Sequence, residues 1–185
     1  MKEKSNLSRG LSRAAWGYLF IYLDINLGRV NILPEFVGMS LFLSAVELLR
    51  HERRELELLR PLVTGLTAFY TVEWCLSWAG ISLEGRFALL TLLLSAASLY
   101  FHFQFFTDLA AIAEKYELVE ESRRILKWRT AQTVLITASA VLCHPFFMAF
   151  RSWEGVMLGV SIVGCFIGFC LMMILFSLSK ALEET

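Results

Sequence analysis

The apolar residues of this chain fall into six runs that are separated by charged connections. A helix that crosses a bilayer needs about 20 mostly apolar residues. The last run, GVMLGVSIVGCFIGFCLMMILFSLS, contains no charge, whereas Glu35 and Glu47 bracket a short apolar centre in the second. The pattern predicts an all-α integral membrane protein, a six-helix transmembrane bundle that forms one domain over residues 1–185. The predicted spans cover residues 14–28, 34–50, 61–80, 87–107, 130–150 and 155–178.

The composition also favours a membrane protein. Hydrophobic residues make up 57% and charged residues 18% of the 185 residues, whereas a soluble domain averages about 45–50% apolar and about 25% charged. This excess is too large for a water-soluble core. The net charge of zero carries no information about partners, and nothing in the sequence suggests nucleic-acid binding.

The basic residues alternate between the two sides of the predicted bundle. Of the 17 Lys and Arg residues, 14 lie in the N-terminal segment, the second and fourth connections and the C-terminal segment. The other three, Arg29, Arg86 and Arg151, lie in the alternate connections. Because cytoplasmic loops carry the excess of Lys and Arg, both termini are predicted to be cytoplasmic and the number of spans to be even.

Polar and small residues predict how the helices pack. Polar side chains that face lipid are costly, so we expect two polar stripes to turn inward. Glycine pairs at Gly-x-x-x-Gly spacing favour close helix contacts, and free cysteines in apolar helices usually pack as small hydrophobes. The first stripe comprises Thr67, Tyr70, Glu73, Trp74 and Ser77, and the second comprises Thr130, Thr133, Thr137, Ala140 and His144. The glycine pairs are Gly155/Gly159 and Gly164/Gly168, which lie on opposite sides of their helix. The cysteines are Cys75, Cys143, Cys165 and Cys170.

The stretch YLDINLGRVNILPEFVG interrupts the apolar pattern with polar groups. Some of them have a structural explanation, because Gly28 can end the first helix and Asn31 can cap the second. Pro34 suits a first helical turn, where Glu35 complements the helix dipole. Asp24 has no such explanation. It lies about 7.5 Å below Arg29 along a helix, at a depth where a charge is usually paired or functional.

Threading of the spans brings other polar groups to the same depth as Asp24. The third and fifth spans run outward, so their polar residues lie toward the outer surface. Carboxylates with a histidine suit proton or cation binding, and Trp and Tyr faces suit an amine. Arg29 or Arg151 could pair with a carboxylate, and an equally weighted alternative is a buried network that fixes helix register. The predicted ligand-binding residues are Asp24, Asn26, Glu35, Tyr70, Glu73, Trp74 and His144.

A second polar group lies toward the predicted cytoplasmic side. Gln104 and Asp108 are four residues apart and share a helix face, and Asp108 is expected at headgroup level. A structural role is the favoured interpretation for this group, which comprises Glu47, His102, Gln104 and Asp108.

The fourth connection is predicted to continue the fourth helix into the cytoplasm. Leu109, Ile112, Tyr116 and Val119 recur at helical spacing, so the segment 109–129 is either an amphipathic surface for a protein partner or the inner leaflet, or a solvated helical hairpin. The hairpin is favoured.

Known catalytic patterns do not occur in the sequence. It contains no His-Glu-x-x-His, Gly-x-Ser-x-Gly, phosphate-loop or dinucleotide glycine pattern. The three histidines, His51, His102 and His144, lie far apart in the predicted topology. The sequence therefore predicts no metal and no cofactor, and an enzyme is the least favoured of the alternatives.

The segments DINLG and ILPEFVG resemble an element near the start of small polytopic membrane proteins of Gram-positive bacteria, a group without an assigned function. The resemblance implies a bacterial plasma membrane. The size, six spans and inner termini are also similar to those of substrate-binding subunits of energy-coupling-factor vitamin transporters, although RAAWGYLF departs from the Ala-x-x-x-Ala face of their first helix.

Together these observations predict a small multi-pass protein of the bacterial inner membrane. The leading hypothesis is binding or transport of a small solute, ion or proton through an outward-facing polar cavity. The alternatives are a non-enzymatic partner or signalling subunit that acts through its cytoplasmic helices, and a membrane-embedded enzyme that depends on His144.

Overall fold

Each of the six apolar runs overlaps one described helix, and most of these helices begin before the run or end after it. The computed structural model describes residues 2–22, 26–27, 30–31, 34–81, 88–142 and 153–184. Within them an antiparallel pair of two-residue strands, β1 (Asn26–Leu27) and β2 (Val30–Asn31), follows the first helix. The helices are α1 (Lys2–Tyr22), α2 (Glu35–Leu49), α3 (Arg54–Trp78), α4 (Ala88–Lys115), α5 (Val119–Leu142) and α6 (Trp153–Glu184).

The chain between α1 and α2 differs from the predicted helix-end pattern. The α1 helix ends at Tyr22 rather than at Gly28, which lies outside the described residues. The predicted Asn31 cap is wrong, because Asn31 pairs with Asn26 in the strand pair. Pro34 is itself the N-cap of α2, with extended backbone and no side-chain cap bond. Glu35 then begins the helix, as predicted for a residue that complements the helix dipole.

The six helices form a closed antiparallel ring, because each helix packs on the next and α6 packs on α1. Gly10 of α1 lies against Leu49 at the end of α2. Ser8 and Ser179 form a hydrogen bond of 2.9 Å between α1 and α6. The two ends of the described chain therefore lie side by side. We call this the terminal end of the bundle, and the opposite end, where α2 and α6 begin and α3 and α5 end, the distal end.

The buried core occupies the middle of the bundle and its terminal end. Buried apolar residues come from the second half of α4 and of α6, the first half of α3, and long stretches of α1 and α2. Aromatic rings fill the centre of the ring of helices, with Phe42 of α2 edge-on to Phe105 of α4 at a centroid distance of 5.4 Å. The largest buried rings belong to Tyr18, Phe42, Phe101, Phe105 and Phe106.

Among the described residues, two helical segments are long and apolar enough to cross a membrane, Leu89–Lys115 in α4 and Leu158–Glu183 in α6. Only 22% and 28% of the most apolar stretches of these two segments are buried inside the protein. The core helix of a soluble protein is mostly buried. These two helices indicate a membrane location. The α2 helix has 15 residues, or about 22 Å, which is shorter than the ~30 Å hydrocarbon core. Two of the six predicted spans therefore lie in helices that are long and apolar enough to cross a membrane.

The two glycine pairs of α6 have different surroundings. A Cβ at Gly168 would overlap the Tyr22 ring, and one at Gly164 would lie 3.7 Å from Leu135. This pair serves internal packing, as predicted. Gly155 and Gly159 have no neighbouring atom within 4 Å, so the first pair makes no packing contact in the described part of the chain.

The cysteines follow the predicted packing role only in part. Cys75 and Cys165 are exposed, Cys170 is half-buried, and all three are free thiols. The exposure of Cys75 departs from the predicted packing role, whereas Cys165, although exposed, contacts the backbone of Tyr22 in α1. Cys143 is outside the described residues.

The connection between α4 and α5 is a tight hairpin. The Leu118 amide donates to the Ala113 carbonyl at 2.9 Å, and Glu117 adopts a left-handed conformation with φ of 62°. Leu109 and Ile112 are buried in the core. Most of the predicted amphipathic face is therefore covered by the protein itself, and Val119, which is 46% exposed, is its accessible residue.

Candidate ligand-binding site

Four of the predicted ligand-binding residues lie where the start of α2 meets the end of α3. We call Glu35, Tyr70, Glu73 and Trp74 the acidic–aromatic cluster. The phenol of Tyr70 interacts electrostatically with both carboxylates, Glu35 and Glu73, and hydrogen-bonds with Ser98 of α4. The ring of Trp74 lies 5.3 Å from that of Phe36, the residue that follows Glu35. Three helices thus meet at this cluster.

The helix pattern explains why these side chains converge. Residues that are three and four positions apart lie on the same face of a helix, so Tyr70, Glu73 and Trp74 form one patch on α3. The antiparallel pairing of α2 with α3 places the first turn of α2 beside this patch. Tyr70, Glu73 and Trp74 are half-buried and Glu35 is exposed. The cluster is therefore accessible from the distal end of the bundle.

The chemistry of the cluster suits a positively charged ligand. Two carboxylates supply negative charge, while the rings of Tyr70 and Trp74 present aromatic faces that attract cations. Trp78 continues the aromatic surface, with its ring 5.6 Å from that of Trp74. Among the described residues, no group of three or more His, Cys, Asp and Glu side chains is arranged to hold a metal ion.

The other predicted site residues cannot be placed in this cluster. Asp24 and His144 lie outside the described residues, as do Arg29 and Arg151. The backbone of Asn26 belongs to β1, where it pairs with Asn31. The part of the site that the structure brings together therefore comes from α2 and α3.

The predicted polar stripe of α5 does not turn inward as a whole. Thr130 and Thr137 are exposed and Thr133 is half-buried. The hydroxyls of Thr130 and Thr133 donate to the carbonyls of Leu126 and Arg129, at 2.9 Å in each case. A hydroxyl that is satisfied by its own helix is not costly on an outward face. The inward prediction for this stripe is therefore wrong.

Gln132 of α5 is a buried polar residue that sequence reasoning missed. Its amide donates to the Tyr22 hydroxyl at 3.0 Å and reaches the Tyr18 hydroxyl at 3.5 Å. Tyr18 in turn hydrogen-bonds with His102 Nδ1 at 2.9 Å. Gln132, Tyr18 and His102 are all buried. The available signal was chemical: a glutamine amide has several donor and acceptor positions, which its own helix cannot satisfy.

The polar group predicted on the other side forms structural contacts. Gln104 donates to Asp108 at 3.1 Å, which confirms their shared face. The Asp108 side chain is completely buried, and its Oδ1 lies 3.0 Å from Nε of Arg53 in the turn between α2 and α3. The predicted depth of Asp108 at headgroup level stays a prediction, and within the protein its side chain is covered. Glu47 pairs with Arg60 at 2.5 Å, so the turn at 50–53 is joined by ion pairs to its neighbours.

Comparison of the chain with protein-family models, with curated proteins and with solved structures found no match. The resemblance of DINLG and ILPEFVG to small polytopic proteins of Gram-positive bacteria stays a prediction.

Proposed function

We propose that this chain is a multi-pass protein of the bacterial plasma membrane. It binds or transports a small cationic ligand at its distal end, and this ligand is an organic amine, a simple cation or a proton. In this proposal the bundle has six spans and both termini are cytoplasmic, so the acidic–aromatic cluster faces outward. The observation that carries the binding site is the position of Tyr70, which interacts with two carboxylates and with Ser98 of a third helix.

The surroundings of Tyr70 support a ligand role in two ways. A surface that needed only to fix helix register could use uncharged hydrogen-bonding groups, whereas Glu35 and Glu73 add two negative charges beside one phenol. The rings of Phe36, Trp74 and Trp78 continue as a contiguous aromatic surface. Cation–π attraction is worth about 0.5–1 kcal/mol at exposed sites and about 2 kcal/mol where water is excluded. An organic ammonium ion would use both features.

The test of the site is thermal unfolding of the detergent-purified full chain with candidate cations. Tetramethylammonium, primary amines and potassium are compared with sodium at equal ionic strength. A ligand at a hundred times its Kd stabilises the folded state by about 2.7 kcal/mol. We expect a rise in Tm that is lost in Glu73→Gln and Glu35→Gln, with Asp24→Asn tested alongside.

The matched control is Glu120→Gln, a carboxylate at the terminal end that is 84% exposed. This variant should keep the full rise in Tm. Equal responses in Glu73→Gln and in the control, or no response to any cation, would reject the site.

The test of the membrane arrangement is separate. Asn6 is exposed near the start of α1, so Asn6→Cys in a cysteine-free background reports on the terminal end. A membrane-impermeant maleimide should label this variant after cell lysis and leave it unlabelled in intact cells. Labelling in intact cells would reverse the proposed orientation.

A second proposal is that the protein is a partner subunit that acts through segment 109–129. The observation that favours it is the exposed face at the start of α5, where Val119 lies near Arg123, which is 72% exposed. Co-purification of a partner should then be lost in Val119→Glu with Arg123→Glu and kept in Tyr100→Ser, a change at another exposed site. A partner that is retained by the double variant would argue against this surface.

A further inference from the structure

A cavity of about 310 Å³ lies between the first and last helices of the ring. It is distinct from the acidic–aromatic cluster, which is built from α2 and α3. Residues of α6 at positions i, i+3, i+4 and i+7 form one wall, and the last two turns of α1 form the other. The lining residues are Tyr18, Leu19 and Tyr22 of α1, and Cys165, Gly168, Phe169 and Met172 of α6.

The polar groups of the wall already have partners inside the protein. The Tyr22 hydroxyl accepts from Gln132 at 3.0 Å, and the Tyr18 hydroxyl bonds with His102 at 2.9 Å. The Cys165 thiol donates to the Tyr22 carbonyl at 3.6 Å. An occupant therefore meets aromatic faces and aliphatic side chains. Apolar cavities of this kind stay dry and bind apolar molecules.

The mouth of the cavity lies on the surface of α6. Cys165 is exposed and Phe169 is 57% exposed. Phe166 and Met173 on the same helix are also exposed, at 61% and 52%. This helix contains one of the two described segments that are apolar enough to cross a membrane. In a bilayer, the molecules that reach such a mouth are hydrocarbon chains.

Gly168 forms part of the shape of the cavity. A Cβ at this position would overlap the Tyr22 ring, so glycine lets the ring lie against the backbone of α6. The volume of about 310 Å³ lies at the lower end of the ~300–1,000 Å³ range of ligand pockets. At about 30 Å³ for a water-sized group, it holds roughly ten such groups. This is room for part of one chain and not for a whole lipid.

We propose that the cavity between α1 and α6 binds one hydrocarbon chain of a membrane lipid, which enters beside Phe169 and lies against the rings of Tyr18 and Tyr22. The headgroup of this lipid stays outside the cavity. The site goes beyond the proposed cation site and does not depend on it.

The test is native mass spectrometry of the full chain in excess detergent, which removes loosely held lipids. The probes are phosphatidylglycerol, its single-chain lyso form, and glycerophosphoglycerol, which is the headgroup without chains. We expect one retained molecule of either chain-bearing probe and none of the headgroup alone. A diazirine on the acyl chain should cross-link to residues 18–22.

Two matched tryptophan substitutions locate the binding. Cys165→Trp fills the cavity and should lower lipid retention at least fivefold. Cys75→Trp places the same ring at an exposed cysteine of α3 and should leave retention unchanged. Met172→Phe fills the cavity from the same wall with a smaller change, and it replaces Cys165→Trp if that variant does not fold.

Each contrary outcome overturns the proposal. Wild-type protein without retained lipid, equal retention in the filled variants and in Cys75→Trp, or retention of the headgroup alone would each do so. Glu73→Gln should retain lipid like wild type, so failure of the cation site leaves this result unaffected.

Discussion

The two halves of α4 differ in how far their side chains are buried. Toward the distal end, Leu89 and Leu92 are 71% and 62% exposed, whereas Phe105 and Leu109, toward the terminal end, are 0% exposed. Both halves are apolar, so composition does not explain the contrast. In water, apolar burial stabilises a fold, but lipid is as apolar as leucine and gives helices no such drive to associate. The contrast fits a helix that passes from one solvent into the other.

The largest test of this comparison removes the same side chain from each half of α4. Leu109→Ala should cost about 2–5 kcal/mol of unfolding free energy, because it opens a cavity in the core. Leu92→Ala should cost less than about 0.5 kcal/mol, as at other surface positions. Unfolding in SDS, followed by circular dichroism, measures both. Similar losses would mean that the distal half is packed in solution, and the contrast would fail.

A second test concerns ion pairs at the terminal end. Arg53→Met leaves the buried Asp108 carboxylate without its cation, and its Oδ2 already has no hydrogen-bond partner. We expect a loss of about 2 kcal/mol, below the ~3–5 kcal/mol of a fully buried pair, because Arg53 is 30% exposed. Arg123→Met, in an exposed pair with Glu120, should cost less than about 0.5 kcal/mol. Equal effects on the SDS midpoint would show that Asp108 does not need Arg53.

A third test sharpens the comparison within α6. Gly168→Ala should destabilise the protein by about 1–2 kcal/mol, since overpacking against the Tyr22 ring forces a shift. Gly159→Ala meets no atom within 4 Å and should stabilise the helix by about 0.5–1 kcal/mol. Opposite shifts of Tm in detergent are the expected result. A gain in both variants would mean that α1 and α6 are further apart than described.

The smallest effect is expected from a single hydroxyl. Tyr18→Phe removes the partner of His102 in the buried network and should cost about 1 kcal/mol. Tyr100→Phe, at a side chain that is 57% exposed, should have no measurable effect. Tryptophan fluorescence melting curves compare the two variants. If Tyr18→Phe left the stability unchanged, water or another group would be satisfying the hydrogen bond of His102.

The hydrophobic pattern predicted the order of the six helices. It did not predict where the helices begin and end, because most of the predicted spans cover only the apolar part of their helices. The predicted spans began at residues 14 and 130, whereas α1 and α5 begin at Lys2 and Val119. A search for apolar runs stops at charged residues, yet charged residues form helices well. Leu109 and Ile112 lie beyond the fourth predicted span for this reason, and they are buried.

The side-chain environment was predicted less well than the helices. The shared face of Tyr70, Glu73 and Trp74 followed from helical spacing alone. Antiparallel threading placed Glu35 at the same depth, but the sequence did not say whether Glu35 faces this patch. The chemistry of the Gln132 amide shows that it needs partners outside its own helix, but the direction in which it faces depends on how α5 is rotated against its neighbours. Trp128 packs against Phe166 and Leu135 against Gly164, and these contacts set the rotation of α5. The partners are far apart in the sequence, by as many residues as about eight to eleven helical turns contain.

The contact between Ser8 and Ser179 has a consequence for biogenesis. These residues are separated by 171 positions, and α6 leaves the ribosome after the other described helices. The pairing of α1 with α2 is available early, but the first helix keeps one flank without its neighbour until α6 has been synthesised. During that interval the flank of α1 that lines the cavity is not covered by α6. A truncation before α6 would therefore leave an incomplete bundle in which the α6-facing side of α1 is exposed. Quality-control proteases of membranes recognise exposed surfaces of this kind.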